Sequence, residues 1–219
     1  MEARIVSIQV GLPKRYGGSE TDKTGEREWV SGIAKQRVDG PVFVGRLNLA
    51  GDGQADLVYH GGPDRPVLMY AADHYAQWRE ELPRPFEYGA FGENLTVTGL
   101  EESSVCIGDI YRIGDLVLEV SQPRNPCWKL ASRHGIPDLA ARVEATSRTG
   151  WYLRVLQEAF VEAGMMLERV ARPYPEWTIV RARQVYRARR EQKREAAMLA
   201  ECPALSADWR EALRAALKH

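Results

Sequence analysis

Short stretches rich in β-branched residues, each closed by a turn signal, recur along most of this 219-residue chain. They lie at 4–12, 42–49, 67–70, 94–97, 105–113, 116–121, 150–156 and 165–170. The dipeptides Gly108-Asp109 and Gly114-Asp115 supply tight turns of the kind that joins antiparallel strands. Because few helical segments separate the stretches, the pattern predicts a mainly β protein with an antiparallel barrel rather than a doubly wound parallel sheet.

Helical periodicity appears in six segments, three of which are grouped at the C-terminal end. The predicted helices are 72–82, 127–133, 138–145, 176–186, 191–200 and 208–217. Pro173 and Pro175 mark a boundary before the last three. We therefore predict two domains, a β-barrel at 1–172 and a small three-helix subdomain at 173–219, with loop or short irregular strands at 13–40.

Composition limits the environment and the partners. The 30 basic residues balance the 30 acidic ones, so no net charge attracts nucleic acid or a membrane surface. Three cysteines are too few for a disulfide scaffold, and the N-terminal stretch lacks the apolar region of a signal peptide. No stretch has the apolar length of a transmembrane helix. We expect a cytoplasmic protein with neither nucleic acid nor membrane as a partner.

Cys127 has the surroundings of a reactive thiol. It follows Pro126, whose ring restricts the backbone, and it precedes a predicted helix. Arg124, Lys129 and the helix N-terminus would favour a thiolate over a thiol. A thiolate can be a nucleophile, a redox centre or a ligand for a soft metal, whereas a lone cysteine can also be a buried small apolar residue. The segment alone leaves these alternatives open.

Three further segments carry polar groups suited to a binding site. The run His60-Gly61-Gly62 places an imidazole beside backbone that a ligand can approach closely, although a loop with a structural histidine is also compatible. Glu93 and Asn94 can contact the edge of a heterocycle or cap backbone groups. Arg154 can bind a phosphate or carboxylate, while the aromatic residues before it are expected in the core. The sequence has no phosphate-binding glycine loop, zinc-ligand spacing or Gly-x-Ser-x-Gly elbow.

Four motifs follow one another between roughly residues 40 and 135. They are Ala55-Asp56-Leu57 through His60-Gly61-Gly62-Pro63-Asp64, Phe91-Gly92-Glu93-Asn94-Leu95, Gly108-Asp109, and Gln122-Pro123-Arg124-Asn125-Pro126-Cys127. In this order they resemble the MOSC domain, named after the C-terminal domain of molybdenum cofactor sulfurases. The Gly150-Trp151-Tyr152 strand and the three-helix tail resemble one bacterial subgroup, the stand-alone proteins linked to hydroxylaminopurine resistance.

The resemblance implies a β-barrel that binds the molybdenum–molybdopterin cofactor, with Cys127 as both thiolate metal ligand and catalytic residue. A soft thiolate beside two dithiolene sulfurs suits an oxo-molybdenum centre. The implied reaction removes oxygen from N-hydroxylated bases and related compounds, R–NHOH to R–NH2, and would detoxify base analogues such as hydroxylaminopurine. Because the sequence shows no flavin, haem or nicotinamide motif, we also expect a separate electron-donor reductase, a flavoprotein.

The resemblance also implies roles for residues in the other motifs. His60 and Glu93 are expected at the pocket mouth as catalytic proton donors to the leaving hydroxyl. The expected cofactor-binding residues are Asn94, Gly61 and Gly62 at the pocket and Arg124, Lys129 and Arg154 at the phosphate. Two alternatives stay open: a non-catalytic cofactor carrier or sulfur-relay module, and a thiol hydrolase that pairs Cys127 with His60 or His134.

Overall fold

Twelve strands and six helices form the regular structure of residues 2–17, 28–57, 61–83 and 85–218, the part of the chain that this computed structural model describes. The strands are β1 (Arg4–Val10), β2 (Lys14–Tyr16), β3 (Trp29–Ser31), β4 (Gln36–Val38), β5 (Val42–Val44), β6 (Val67–Ala71), β7 (Leu95–Thr98), β8 (Ile110–Ile113), β9 (Leu116–Pro123), β10 (Trp151–Gln157), β11 (Ala159–Val161) and β12 (Glu168–Ala171). The helices are α1 (His74–Glu81), α2 (Trp128–His134), α3 (Leu139–Thr146), α4 (Ile179–Arg187), α5 (Lys193–Ala200) and α6 (Ala207–Leu217). Within the described ranges, no helix has the length and apolar character needed to cross a lipid bilayer.

Eight strands form one curled sheet in the order β12-β8-β9-β10-β6-β7-β1-β4. Neighbouring strands are antiparallel except for β6 and β7, which are parallel and are connected through α1. The sheet curls until β1 meets the segment before β12, where the Ile5 N–H donates to Met165 O at 2.9 Å. Register shifts in the β1, β10 and β12 ladders add the local twist that such curvature requires. The predicted fold, mainly β with a barrel-type sheet and C-terminal helices, is confirmed. The curled sheet forms a half-barrel.

The main hydrophobic core lies between the sheet and the C-terminal helices. Leu118 and Val120 alternate along β9 and are fully buried on its inner face. The apolar side chains of the last three helices, among them Ile179, Trp209 and Leu213, belong to the same cluster. Hydrophobic contacts therefore continue across the predicted boundary at residue 172, and the division into two domains stays a prediction.

A second, largely aromatic cluster lies under α1, α2 and α3. Tyr70 of β6 stacks on Phe91 with ring centroids 4.6 Å apart, and the Trp78 indole N–H of α1 donates to the Tyr70 hydroxyl at 2.7 Å. Aromatic contacts of this kind contribute more to the free energy of folding than the burial of their apolar surface alone. Leu130 of α2 is fully buried in this cluster. The cluster thus fixes the position of α2, the helix that begins next to Cys127.

A buried carboxylate at Asp109 joins the β8 turn to the end of β12. It accepts hydrogen bonds from Arg172 at 2.8 and 2.6 Å, from the Tyr111 hydroxyl at 3.2 Å and from the Cys106 N–H at 2.9 Å.

Asp109→Ala is expected to lower the free energy of unfolding by about 3 kcal/mol, because these donors lose their acceptor. Urea denaturation measures the change. The control Asp115→Ala, at an exposed turn, should stay within about 0.5 kcal/mol of wild type. Equal stability of the two variants would contradict the prediction.

Candidate functional site

A cleft that encloses about 80 Å³ and is open to solvent on one side lies beside the start of α2. Its walls come from residues far apart in sequence, which lie within 31–35, 53–56, 91–94 (without Glu93) and 124–129, together with Arg65, Leu68 and Tyr152. We call it the Cys127 cleft. Three of the four sequence motifs contribute to these walls. The enclosed volume of the cleft is smaller than the roughly 300–1,000 Å³ of typical ligand pockets, so a bound small molecule or cofactor would extend out of the cleft into solvent.

Cys127 is the N-cap residue of α2 and lines the cleft. Its backbone is extended, with φ −108° and ψ 163°, and its side chain is half-buried, so a molecule in the cleft can reach the thiol. The far end of α2 is held by Arg133, whose Nη1 donates to Ile33 O at 2.6 Å and to Gly89 O at 2.9 Å. Because Cys127 is the N-cap, the helix begins at Trp128, one residue later than predicted. The hydrogen bonds of Arg133 connect its far end to two other segments near the cleft.

Arg124 adds to the same wall a cation whose guanidinium is only partly hydrogen-bonded. The residue is only 4% exposed, and its Nη1 atom has no hydrogen-bond partner among the described residues. Burial raises the pKa of the neighbouring Tyr152, and the Arg124 cation opposes that shift. A buried guanidinium donor without a partner is unfavourable unless an anion binds beside it. Arg124 therefore stays a candidate for the predicted phosphate contact.

The other two basic residues predicted to bind phosphate occupy different positions. Lys129 lines the Cys127 cleft, where its Nζ donates to Val30 O at 3.1 Å. Arg154 does not contribute to the described cleft wall and pairs instead with Asp64 at 2.7 Å and with Glu119 at 2.6 Å. Two carboxylates already neutralise its guanidinium. The structure therefore places Arg154 in a protein ion-pair network and not at the expected phosphate site.

A buried ion pair that no sequence motif had indicated lies at the cleft. Lys35 lines the wall, and its Nζ contacts Oδ1 of Asp52. Burial lowers the pKa of Lys35, although the Asp52 carboxylate opposes that shift. Asn94 donates to Asp52 Oδ2 at 2.9 Å and accepts from the Leu68 N–H at 3.0 Å. These hydrogen bonds of the Asn94 amide hold Asp52 beside Lys35. Asn94 itself lines the cleft, so its expected contact with a ligand stays a prediction.

Glu93 is fully buried and does not contribute to the described cleft wall. Its carboxylate accepts hydrogen bonds from the Tyr75 hydroxyl and from Thr96 Oγ1, the latter at 3.0 Å. The backbone N–H groups of Gly89 and Phe91 donate to it at 2.7 and 3.2 Å. This position differs from the expected one at the pocket mouth. Because four donors occupy the carboxylate, Glu93 stabilises the turn beside the cleft instead of exchanging protons with a ligand.

Glu93→Gln is expected to lower the free energy of unfolding by about 2 kcal/mol, because an amide cannot accept hydrogen bonds from all four donors. Urea denaturation of the purified variant measures the change. Glu87→Gln, at an exposed position near the same turn, is the matched control and should differ from wild type by less than about 0.5 kcal/mol. Wild-type stability in Glu93→Gln would show that the carboxylate is not needed to hold the turn.

His60 lies outside the described residues, so its role as a proton donor stays a prediction. Gly61 and Gly62 follow it and do not contribute to the described cleft wall. Gly62 has φ +91°, which other residues rarely adopt, and a Cβ at Gly61 would approach Leu57 Cα to 3.1 Å. The two glycines therefore shape the loop that leads to Arg65, a cationic residue of the wall.

His134 is the last residue of α2, at the end opposite to Cys127. One of its ring nitrogens lies 2.8 Å from Ala90 O, and its ring stacks on Phe86 with centroids 4.2 Å apart. The length of this helix separates Cys127 and His134 by roughly 10 Å, too far for a nucleophile to share a hydrogen bond with its base. The geometry gives no support to a thiol hydrolase that uses this pair.

The sequence model of the MOSC domain matches residues 56–168, a range that includes Cys127 and most of the curled sheet. With that match covering half of the chain, the protein belongs to the MOSC-domain family. The resemblance noted from the four motifs is therefore confirmed.

Relatives share both the sequence and the fold. Protein YflK of Bacillus subtilis is 45% identical over 170 residues, which cover 77% of this chain and 73% of that protein. A protein named Reductase from Gibberella moniliformis is 43% identical over 182 residues, which cover 81% of this chain but 32% of that protein. The crystal structure of YiiM from Geobacillus stearothermophilus matches with a TM-score of 0.81 and 39% identity, over 98% of this chain and 99% of that one. The similarity to YiiM therefore extends over the C-terminal helices.

Proposed function

We propose that this protein is a molybdenum-cofactor-binding reductase that removes oxygen from N-hydroxylated bases and related compounds. The observation that carries the proposal is the Cys127 cleft, which is lined by a half-buried thiol and by Arg124, a buried cation whose Nη1 has no partner among the described residues. Membership of the MOSC-domain family supports the cofactor. The name of the Gibberella moniliformis relative supports a reduction.

The donor groups of the cleft suit the molybdenum–molybdopterin cofactor. Cys127 Sγ would bind the metal, because a thiolate is a soft ligand that fits beside dithiolene sulfurs. Arg124 would bind the phosphate through its unpaired Nη1, and Lys129 would add a second cation. When bound, the cofactor supplies the two-electron redox chemistry. The chain then has to hold it, orient the substrate and deliver protons.

The proposed reaction converts R–NHOH into R–NH2 and water, which consumes two electrons and two protons. The electrons come from a separate reductase, expected to be a flavoprotein. Lys35 Nζ carries a proton at the cleft wall, and its lowered pKa makes that proton easier to transfer than the proton of an exposed lysine. His60 stays a second candidate donor. Hydroxylaminopurine is the expected example of a substrate.

The test begins with protein purified from molybdenum-replete cells. Bound molybdenum and pterin are measured, and hydroxylaminopurine and an amidoxime are assayed with a chemical reductant. We expect bound cofactor and reduction of both compounds. Protein that holds the cofactor but reduces neither compound would contradict the reductase and favour the carrier, which should then transfer its cofactor to an apo-enzyme. Protein that never holds the cofactor would contradict both.

A further inference from the structure

The Arg183 side chain connects the C-terminal helices to the segment that carries Cys127. Arg183 lies on α4 and is 2% exposed. Its Nη1 donates to the Arg124 carbonyl at 3.0 Å and to Oδ1 of Asn125 at 3.2 Å. Arg124 and Asn125 both line the Cys127 cleft. One guanidinium nitrogen thus contacts two successive residues of the cleft wall immediately before Pro126.

The other side of the guanidinium is anchored on a different helix. Nη2 of Arg183 donates to Glu144 Oε1 of α3 at 2.8 Å. Burial lowers the pKa of Arg183, and the Glu144 carboxylate opposes that shift. Burying a guanidinium is unfavourable unless its acceptors are held in place, so the contacts of Arg183 restrain α3, α4 and the 124–125 segment relative to one another.

The 124–127 segment has little other support from the backbone. It contains no regular secondary structure, and Pro126 has no N–H to donate. The Arg124 N–H donates to Gly150 O at 3.1 Å, and the Cys127 carbonyl accepts from the Leu130 N–H at 3.1 Å. Segments with few backbone hydrogen bonds open locally at low cost. Side-chain contacts such as those of Arg183 therefore help to hold the segment that carries Cys127 in place.

A second contact joins the C-terminal helices to the cleft. Asp208 of α6 forms an ion pair with Arg65 of the cleft wall. The Ala207 N–H at the start of α6 donates to Asp64 Oδ2 at 3.1 Å. The C-terminal helices thus contact the cleft wall at Arg65 and at the 124–125 segment. Contacts at two such separate places fit a role in shaping the site.

We propose that Arg183 is a positioning residue that holds the Cys127 thiol at the cleft, and that the C-terminal helices act on the site through it. The positioning role of Arg183 rests on the proposed reductase function only where activity is measured. Alkylation of Cys127 in the cofactor-free chain reports the position of the thiol independently. Cys106 and Cys202 are both buried, and burial raises the pKa of each, so they react slowly.

The experiment measures the rate of iodoacetamide alkylation at Cys127 by peptide mass spectrometry, in full-length protein from cells that cannot make the cofactor. Arg183→Gln should react about tenfold faster than wild type, the factor by which losing one charge-assisted hydrogen bond shifts local opening. Arg183→Lys keeps the positive charge but loses the paired donors of the guanidinium. Its alkylation rate should therefore lie between those of wild type and Arg183→Gln. With cofactor and a chemical reductant, Arg183→Gln should lose about 10- to 100-fold in kcat/KM, as outer-sphere partners of metal ligands do.

Two variants serve as controls. Arg187→Gln changes an exposed arginine of the same helix that contacts the same Glu144 at 3.6 Å. Leu213→Ala removes a fully buried side chain of α6 and lowers stability away from the 124–125 contacts. Neither should accelerate alkylation under conditions where the variants stay folded, which thermal unfolding verifies.

An alkylation rate in Arg183→Gln equal to that of Arg187→Gln would overturn the proposal, whatever the activity of the wild type. Equal acceleration in Leu213→Ala would also overturn it, because the effect would then follow stability alone. If Arg183→Gln does not fold, Arg183→Lys and Asn125→Ala decide by the same comparison. Acceleration in a protein whose wild type never binds molybdenum would leave the positioning role intact and contradict the proposed function instead.

Discussion

Cys127→Ser is expected to abolish molybdenum binding and to reduce reductase activity by more than about 100-fold, beyond the loss typical of outer-sphere partners. Serine keeps the size of the side chain and the backbone geometry of the α2 N-cap. Its hydroxyl, however, is a hard oxygen donor that stays protonated at neutral pH and does not replace a soft thiolate. Metal analysis, pterin content and turnover of hydroxylaminopurine measure the effect.

The matched control for this variant is Cys202→Ser. Cys202 is buried near the start of the last helix and belongs to the main core cluster, so its thiol acts as a small apolar group. We expect Cys202→Ser to keep wild-type molybdenum content and activity per folded molecule, with at most a loss of stability. Full metal content in Cys127→Ser would refute the assignment of Cys127 as the metal ligand. Retained metal with lost turnover would instead place the thiol in the chemistry without ligation.

Strands with local alternation could be predicted from the sequence, and strands stabilised by distant partners could not. β1 falls within a predicted stretch, while β9 and β10 overlap predicted stretches and extend beyond them by two residues and one residue. β2 and β4 have three residues each and are largely exposed, so they carry no apolar pattern. β4 exists because Gln36 pairs with Val10 of β1, and β11 because Phe160 pairs with Phe43 of β5. The parallel β6–β7 pair was also unforeseen, since alternation does not specify strand direction.

The candidate site shows the same limit. Cys127, Arg124 and Lys129 share one short segment, so a motif could bring them together. Lys35 and Asp52 are 17 residues apart, and no motif connects them. For Glu93 and Arg154 the charge was evident, but the partner was not. Their partners come from other parts of the fold: Tyr75 of α1 for Glu93, and Asp64 and Glu119 for Arg154. Residue type predicts the chemistry of a side chain, while the fold decides whether that chemistry is already satisfied within the protein.

Arg124→Gln is expected to separate stability from cofactor binding. In the cofactor-free protein the guanidinium is buried with Nη1 unpaired, and the cost of burying that charge should outweigh its hydrogen bond with Tyr152. Replacing it should therefore leave the free energy of unfolding unchanged or raise it by about 1 kcal/mol. In the same variant the affinity for the cofactor should fall by about 10- to 100-fold, the range typical when an anionic group loses a charge-assisted partner worth about 1.5–3 kcal/mol. Urea denaturation of the cofactor-free chain measures the first effect, and pterin and molybdenum content the second.

Lys129→Gln is the matched control, because Lys129 lines the same cleft but already donates to Val30 O. Its smaller contribution should reduce cofactor content less than Arg124→Gln does. Added inorganic phosphate gives an independent measurement: by stabilising only the state that binds it, phosphate should raise the melting temperature of the cofactor-free wild type and not that of Arg124→Gln. A cofactor-free Arg124→Gln protein that is strongly destabilised, with normal cofactor content, would assign Arg124 to holding the 124–127 segment. The anion would then have to bind elsewhere in the cleft, with Lys35 and Arg65 as the cations that also line its wall.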